Sequence, residues 1–156
     1  MKVKIAIDPG KSGGIAIRYA DGRVALHAMP DTETELMETL KSEAMNAYSE
    51  GCKPECVLER VGGFAGKGQP GSAMFTFGRG VGVIVGLLLA YQIPFREVRP
   101  QDWQKAVGAG TTSGRSKAQW KRHLCDLARK RFPTTKGITL KTCDALLMLA
   151  AMEGAQ

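Results

Sequence analysis

The sequence is short of the residues that build several protein classes. Four cysteines (Cys52, Cys56, Cys125 and Cys143) and two histidines are all that 156 residues contain. Nothing marks the chain as secreted, so reduced thiols are expected rather than two disulfides. Cys52 and Cys56 form a C-x3-C spacing with no matching second pair, which argues against a structural zinc site. The longest apolar run, Val81 to Ala90, contains two glycines and falls short of the roughly 20 residues that span a bilayer, so no membrane partner is expected. The start of the chain shows neither a signal peptide nor an Arg- and Ser-rich transit segment, which points to the cytoplasm. Internal repeats, low-complexity tracts and a linker long enough to divide the chain are also missing. With 44% hydrophobic and 24% charged residues, the sequence reads as a single globular domain over residues 1–156.

Positive charge is what the chain has in excess, and it is unevenly spread. The net charge is +7. Residues 1–59 carry seven Lys/Arg against ten Asp/Glu, whereas residues 60–156 carry fifteen against five. A polyanion, most commonly nucleic acid, suits so basic a half; a basic surface that serves only solubility is the alternative.

The pattern of apolar residues sets out the elements. Val3, Ile5 and Ile7 alternate with Lys2, Lys4 and Ala6, a strand with one buried face. Asp8 stands where that run ends. Pro9-Gly10 stops the strand, and Gly13-Gly14 allows a reversal into a second strand, Ile15-Ala-Ile17. Asp21-Gly22 signals a hairpin into a third strand, Arg23 to Met29. Thr32-x-x-Glu35 reads as the capping box of a helix. Its buried face is expected at Met37, Leu40, Ala44 and Ala47/Tyr48, with Glu33, Glu35, Glu38 and Glu43 solvated. Cys56-Val57-Leu58 is a buried strand that ends at Glu59. Residues 61–72 hold five glycines and a proline and form a loop carrying Phe64 and Lys67. Phe64 is either tucked onto the domain or free to stack on a base.

A long helix follows from Ala73 to Tyr91, with Gly78, Gly82 and Gly86 on one face. Three glycines cost a helix about 2–3 kcal/mol relative to alanine. A close approach by another backbone is the expected reason, either the sheet beneath or a second copy of the helix. Ile93 to Val98 is a fifth strand, and Pro100 to Val107 a short helix with proline in its first turn. After a second glycine-rich loop, Gly108 to Gly114, Ser116 caps a helix with an apolar stripe of Trp120, Leu124, Leu127 and Ala128. Lys117, Lys121 and Arg122 are read as lying off that stripe. The last helix begins around Thr139 to Thr142 and carries Asp144 in its first turn.

This order of elements predicts an α/β fold, a mixed five-stranded sheet with helices on both faces. The fourth strand would lie beside the first, bringing Glu59 near Asp8, and the last helix can deliver Asp144 to the same point. Each acid also has an ordinary reading: a turn-former for Asp8, a salt-bridge partner of Arg60 for Glu59, a helix-dipole complement for Asp144. Three converging carboxylates repel unless a cation joins them. Hard oxygen donors suit Mg²⁺ or Mn²⁺, and two such ions can drive phosphodiester cleavage.

Several motifs occur in one recognisable order: Ile5-Ala-Ile-Asp-Pro-Gly10 with Gly13-Gly14, Leu58-Glu59, Val107-Gly-Ala-Gly110, Lys117, and Cys143-Asp-Ala-Leu-Leu-Met-Leu-Ala150. Over nearly its whole length the sequence resembles the RuvC-type Holliday junction resolvases, a branch of the RNase H-like nucleases. Sugar kinases and actin-like ATPases share a similar first motif, but they need two such domains. The resemblance implies a Mg²⁺-dependent homodimer, with Mn²⁺ as substitute and two ions per site. It implies binding of four-way DNA junctions and paired nicks that leave 5′-phosphate and 3′-hydroxyl ends. It further implies a bacterial or phage-encoded protein of DNA recombination and repair. Carried over by position, Asp8, Glu59 and Asp144 match the metal ligands, and Lys105 and Lys117 match lysines that contact DNA. Lys67, Arg115 and Lys121 are further candidate DNA contacts. Phe64 matches the aromatic used at the junction centre, although it stands farther from Glu59 than the family pattern has it. The helix from Ala73 to Tyr91 matches the dimer element.

One position departs from the family. Lys141 stands where these resolvases carry an Asp or His, three residues before the last Asp. A charged lysine cannot ligate Mg²⁺. Lys141 either stabilises transition-state charge or orients the attacking water, or it points away from the site, or the chain binds junctions and cuts poorly. Two other functions stay open at this stage: a junction-binding architectural protein, and an RNase H-like nuclease for other branched or RNA-containing substrates.

Overall fold

The computed structural model describes residues 2–62 and 70–154. Phe64 and Lys67 lie outside the described residues. Among the described residues the strands are β1 (Lys2–Asp8), β2 (Gly14–Arg18), β3 (Val24–Ala28), β4 (Lys53–Glu59) and β5 (Phe95–Val98). They form one sheet in the order β3-β2-β1-β4-β5. The first three strands pair antiparallel, as tight turns require, while β4 and β5 join in parallel after helical crossovers. The mixed five-stranded sheet expected from the sequence is the one observed.

Strand alternation splits the core into two layers. Val3, Ile5, Ile7, Cys56 and Leu58 face α1 (Glu33–Ser49) and α2 (Gly71–Ala90). Ala6, Ala16 and Val57 face α3 (Pro100–Ala106), α4 (Lys117–Arg131) and α5 (Cys143–Glu153). Ala6 and Ala16 are direct partners in the β1–β2 register. Side chains this small let α5 settle close on the sheet, and α5 is buried from Ala145 through Ala150. Gly14 tightens the fit: a Cβ there would stand 2.6 Å from the Lys141 carbonyl oxygen and 2.7 Å from that of His27. The first turn of α5 is thereby fixed against the start of β2.

Three details differ from the sequence reading. The buried stripe of α1 runs through Leu36, Leu40, Glu43, Ala44 and Ala47, one residue round from the expected face, and Met37 is 37% exposed. Glu43 is therefore inside, where it accepts a hydrogen bond from the Tyr19 hydroxyl at 3.0 Å. The glycine face of α2 is also not where the sheet lies. A Cβ added at Gly78, Gly82 or Gly86 would meet nothing within 4 Å among the described residues, and only Ile84 and Leu88 of this helix are buried. The third concerns membranes. At 20 residues α2 is long and apolar enough to cross one by length and composition, so shortness does not dismiss a span. What ties α2 to the domain is the insertion of Ile84 and Leu88 into the core and the Arg79–Glu33 ion pair at 2.9 Å.

A cavity of about 630 Å³ lies between α2 and the start of α1, lined by Leu36, Phe77 and Ile84 among others. It is on the α1–α2 face, away from the charged groups described next. Gly10 and Lys11, which follow the end of β1, also line it, and the Phe77 ring sits 2.9 Å from the place a Gly10 Cβ would take.

Candidate active site

Period-2 geometry places two carboxylates on one face. Asp8 shares a face with Ala6, and Glu59 with Val57. Both therefore look toward α3, α4 and α5. The parallel register pairs Ile7 with Leu58, so Asp8 and Glu59 end neighbouring strands at the same sheet edge, where strands run about 4.8 Å apart. The packed first turn of α5 supplies Asp144 from above.

These acids act on one another. Asp8 is 9% exposed. Burial first, then the charges of Glu59 and Asp144, push its carboxyl up from 3.8 to about 7, while Lys121 pulls it down. Glu59 is also raised, by burial first; the Trp103 indole works against that rise, Asp144 adds to it and Lys121 subtracts. Arg60 reaches instead toward Glu97, at 3.8 Å, and the Trp103 indole N–H donates to Glu59 Oε2 at 2.7 Å.

The cation inside this group is Lys121. Its ammonium donates to Asp144 Oδ2 and lies 3.9 Å from Asp8 Oδ2. Burial alone would lower its pKa, but Asp144, through charge and hydrogen bond, and Asp8 outweigh that and the net shift is upward. Lys121 precedes Leu124, Cys125 and Ala128 by three, four and seven residues, and those three are the buried residues of α4. It therefore lies on the buried stripe, not off it. That spacing was the signal available in the sequence.

Lys141 is placed differently. It is exposed, its backbone N–H donates to Thr139 Oγ1 at 3.2 Å, and it is not among the charges that act on Asp8. Lys141→Ala is accordingly expected to leave any Mg²⁺-dependent cleavage rate within about twofold, as for surface substitutions generally; a single-turnover assay checks this. Lys105, Arg115 and Lys117 are exposed at the end of α3, in the following loop and at the start of α4. The Arg115 guanidinium donates to the Thr111 carbonyl at 2.7 Å and lies over the Trp120 ring, 5.6 Å from its centroid.

As placed, no three His, Cys, Asp or Glu side chains among the described residues are grouped to hold one metal ion. The donor chemistry nevertheless fits a hard divalent cation. Asp8, Glu59 and Asp144 offer only oxygens, and one ammonium offsets three carboxylates; the rise of Asp8 comes first from burial and then from the charges of the other two.

No protein-family model matches the chain, and no curated protein matches it in sequence. The likeness is in three dimensions. Thermus thermophilus RuvC in complex with a Holliday junction substrate superposes with a TM-score of 0.59, over 97% of this chain and 93% of that one, at 13% identity. A second Thermus thermophilus RuvC structure gives a TM-score of 0.52 over 97% and 95%, at 12% identity. The molecule has an RNase H-like fold. Within that class its fold is that of RuvC.

Proposed function

We propose that this chain is a metal-dependent endonuclease that resolves four-way DNA junctions by paired phosphodiester hydrolysis, leaving 5′-phosphate and 3′-hydroxyl ends. The observation that carries the proposal is that Asp8 and Glu59 end neighbouring strands, that Asp144 lies close enough to act on both, and that Lys121 joins Asp8 to Asp144, in a RuvC-type fold. Asp8, Glu59 and Asp144 would hold Mg²⁺ or Mn²⁺, with two ions per site as in the family the sequence resembles. Such ions, when bound, lower the pKa of water and stabilise the leaving oxygen.

The chain's own residues have separate tasks. The strand ends of β1 and β4 and the first turn of α5 hold the carboxylates on rigid elements, as positioned chemistry requires. Lys121 braces Asp144 and Asp8 and supplies one positive charge among the carboxylates. Lys105, Arg115 and Lys117 stand on the side of the sheet that bears the carboxylates, where they can take DNA phosphates. Phe64 and Lys67 remain candidate DNA contacts from the sequence alone.

A homodimer through α2 belongs to the same proposal. Phe75, Gly78, Gly82, Gly86 and Leu89 recur at spacings of three, four, four and three residues and so form one stripe. Phe75 is 75% and Leu89 65% exposed, and the glycines between them leave room for a second backbone. Leu89→Glu is expected to convert dimer to monomer in sedimentation equilibrium and to abolish the rise of melting temperature with protein concentration that a dimeric parent shows. A monomeric parent protein would remove α2 as the interface.

Nicking assays test the activity. The protein is expected to cut a synthetic four-way junction in Mg²⁺ but not in EDTA, and in preference to linear duplex and RNA–DNA hybrid of the same length. Binding without cutting is the second reading. The ungrouped state of the acids and the lysine at position 141 favour it, and junction retention with no Mg²⁺-dependent product would establish it.

A further inference from the structure

We propose that Trp103 is a positioning residue for Glu59, its indole N–H fixing one carboxylate oxygen so that the other is presented to a metal ion. This inference rests on the proposed metal-dependent site.

The three carboxylates are not held alike. Lys121 serves Asp144 and Asp8, and its contacts do not include Glu59. Glu59 has the longest side chain of the three and thus the most rotamer freedom to lose. Its partner is Trp103, which is 1% exposed and belongs to the core layer formed with α4 and α5. The helix that carries Trp103 starts at Pro100, and Arg99 clamps its first turn through two bonds of 2.8 Å to Asp102. The indole is held in place chiefly by its packing in that core layer.

An indole N–H donates only. A backbone carbonyl would satisfy it, yet here it meets a carboxylate oxygen at 2.7 Å, in the short range of charge-assisted bonds rather than the ordinary 2.9–3.0 Å mode. Such a bond holds the glutamate through Oε2, and among the described residues Glu59 Oε1 has no hydrogen-bond partner. Outer partners of this kind typically change metal affinity or activity by about 10–100-fold.

The test uses full-length protein with Trp103→Phe, and with benzothienylalanine at position 103. The latter keeps the shape of tryptophan and replaces N–H by sulfur. Mn²⁺ binding is followed at fixed pH by the electron paramagnetic resonance of the free ion. Both variants are expected to raise the Mn²⁺ Kd about 10-fold. In a Glu59→Gln background the same replacements should add nothing. The indole N–H proton resonance of Trp103 is expected downfield in the parent protein and shifted upfield by Glu59→Gln. If Trp103→Phe fails to fold, the benzothienylalanine protein decides. A Kd within twofold of the parent in that protein overturns this inference alone. A parent protein that binds no Mn²⁺, or whose binding ignores Asp8→Asn, overturns the metal site and this inference together.

Discussion

Asp8→Asn is expected to lower Mg²⁺-dependent nicking by about 10³-fold or more, beyond the roughly 10–100-fold that loss of an outer partner costs. The same change is expected to raise the melting temperature of the metal-free protein at pH 8. The loss of nicking follows from the loss of a ligand oxygen at the proposed metal site, and the gain in stability from a carboxylate raised from 3.8 to about 7 by burial and by its two acidic neighbours. The folded state binds the Asp8 proton more tightly than the unfolded chain does. Asp8 therefore favours folding at low pH and loses that contribution as pH rises from about 4 through about 7. A rise of that size corresponds to a loss on the order of 4 kcal/mol. Asparagine avoids the loss but gives up the approach of Lys121, so a gain of roughly 5 °C is expected, at the 2–4 °C per kcal/mol usual for chains of this length. At pH 5 the folded-state carboxyl is still protonated and only about a third of the loss has set in, so the difference should shrink to a small part of its value at pH 8. Melting curves in EDTA at both pH values check this, and an equal gain at both would show that the charge of Asp8 is not the cause.

Lys121→Met is expected to act in the opposite direction on stability and in the same direction on cleavage. It removes the ammonium that joins Asp8 and Asp144. Breaking a buried pair costs about 3–5 kcal/mol. The Lys121 side chain is 30% exposed, so about 2–3 kcal/mol, or roughly 5–10 °C, is expected for the metal-free protein at pH 8. Millimolar Mg²⁺ should restore more stability to the variant than to the parent, since a bound divalent ion stabilises by mass action and here replaces a missing charge. Cleavage should fall about 100-fold as the carboxylates lose their brace. Melts with and without Mg²⁺, paired with single-turnover rates, measure both effects. Equal Mg²⁺ stabilisation of parent and variant would detach Lys121 from the proposed metal site.

The sheet and the placement of the acids were legible because strands have a period of two. Val3, Ile5 and Ile7 set the buried parity, and Asp8 at the apolar edge then shares the parity of Ala6. Val57 and Glu59 repeat the pattern in β4. The residues that complete the site were harder to read because helical faces depend on rotation about an axis that the sequence fixes only to within a residue or so. Choosing Trp120 rather than Lys121 as the start of the α4 stripe moved a central lysine to the outside. Choosing Met37 rather than Leu36 in α1 sent Glu43 the same way. Position 141 drew attention because it broke a family pattern, whereas Lys121 broke none. The Trp103–Glu59 bond links residues 44 apart, and nothing local announces it beyond the general need of a buried indole for an acceptor. In α2 the glycine spacing predicted a close approach by another backbone, and among the described residues the sheet does not supply it, because the helix turns Ile84 and Leu88 rather than the glycines toward the core.

The most direct measurement is the anomalous scattering of Mn²⁺ in crystals of the metal-loaded protein. The account predicts density bounded by oxygens of Asp8, Glu59 and Asp144, absent in the Asp8→Asn protein. Mn²⁺ bound elsewhere, or no ordered ion while the three carboxylates stay braced by Lys121 and Trp103, would contradict it.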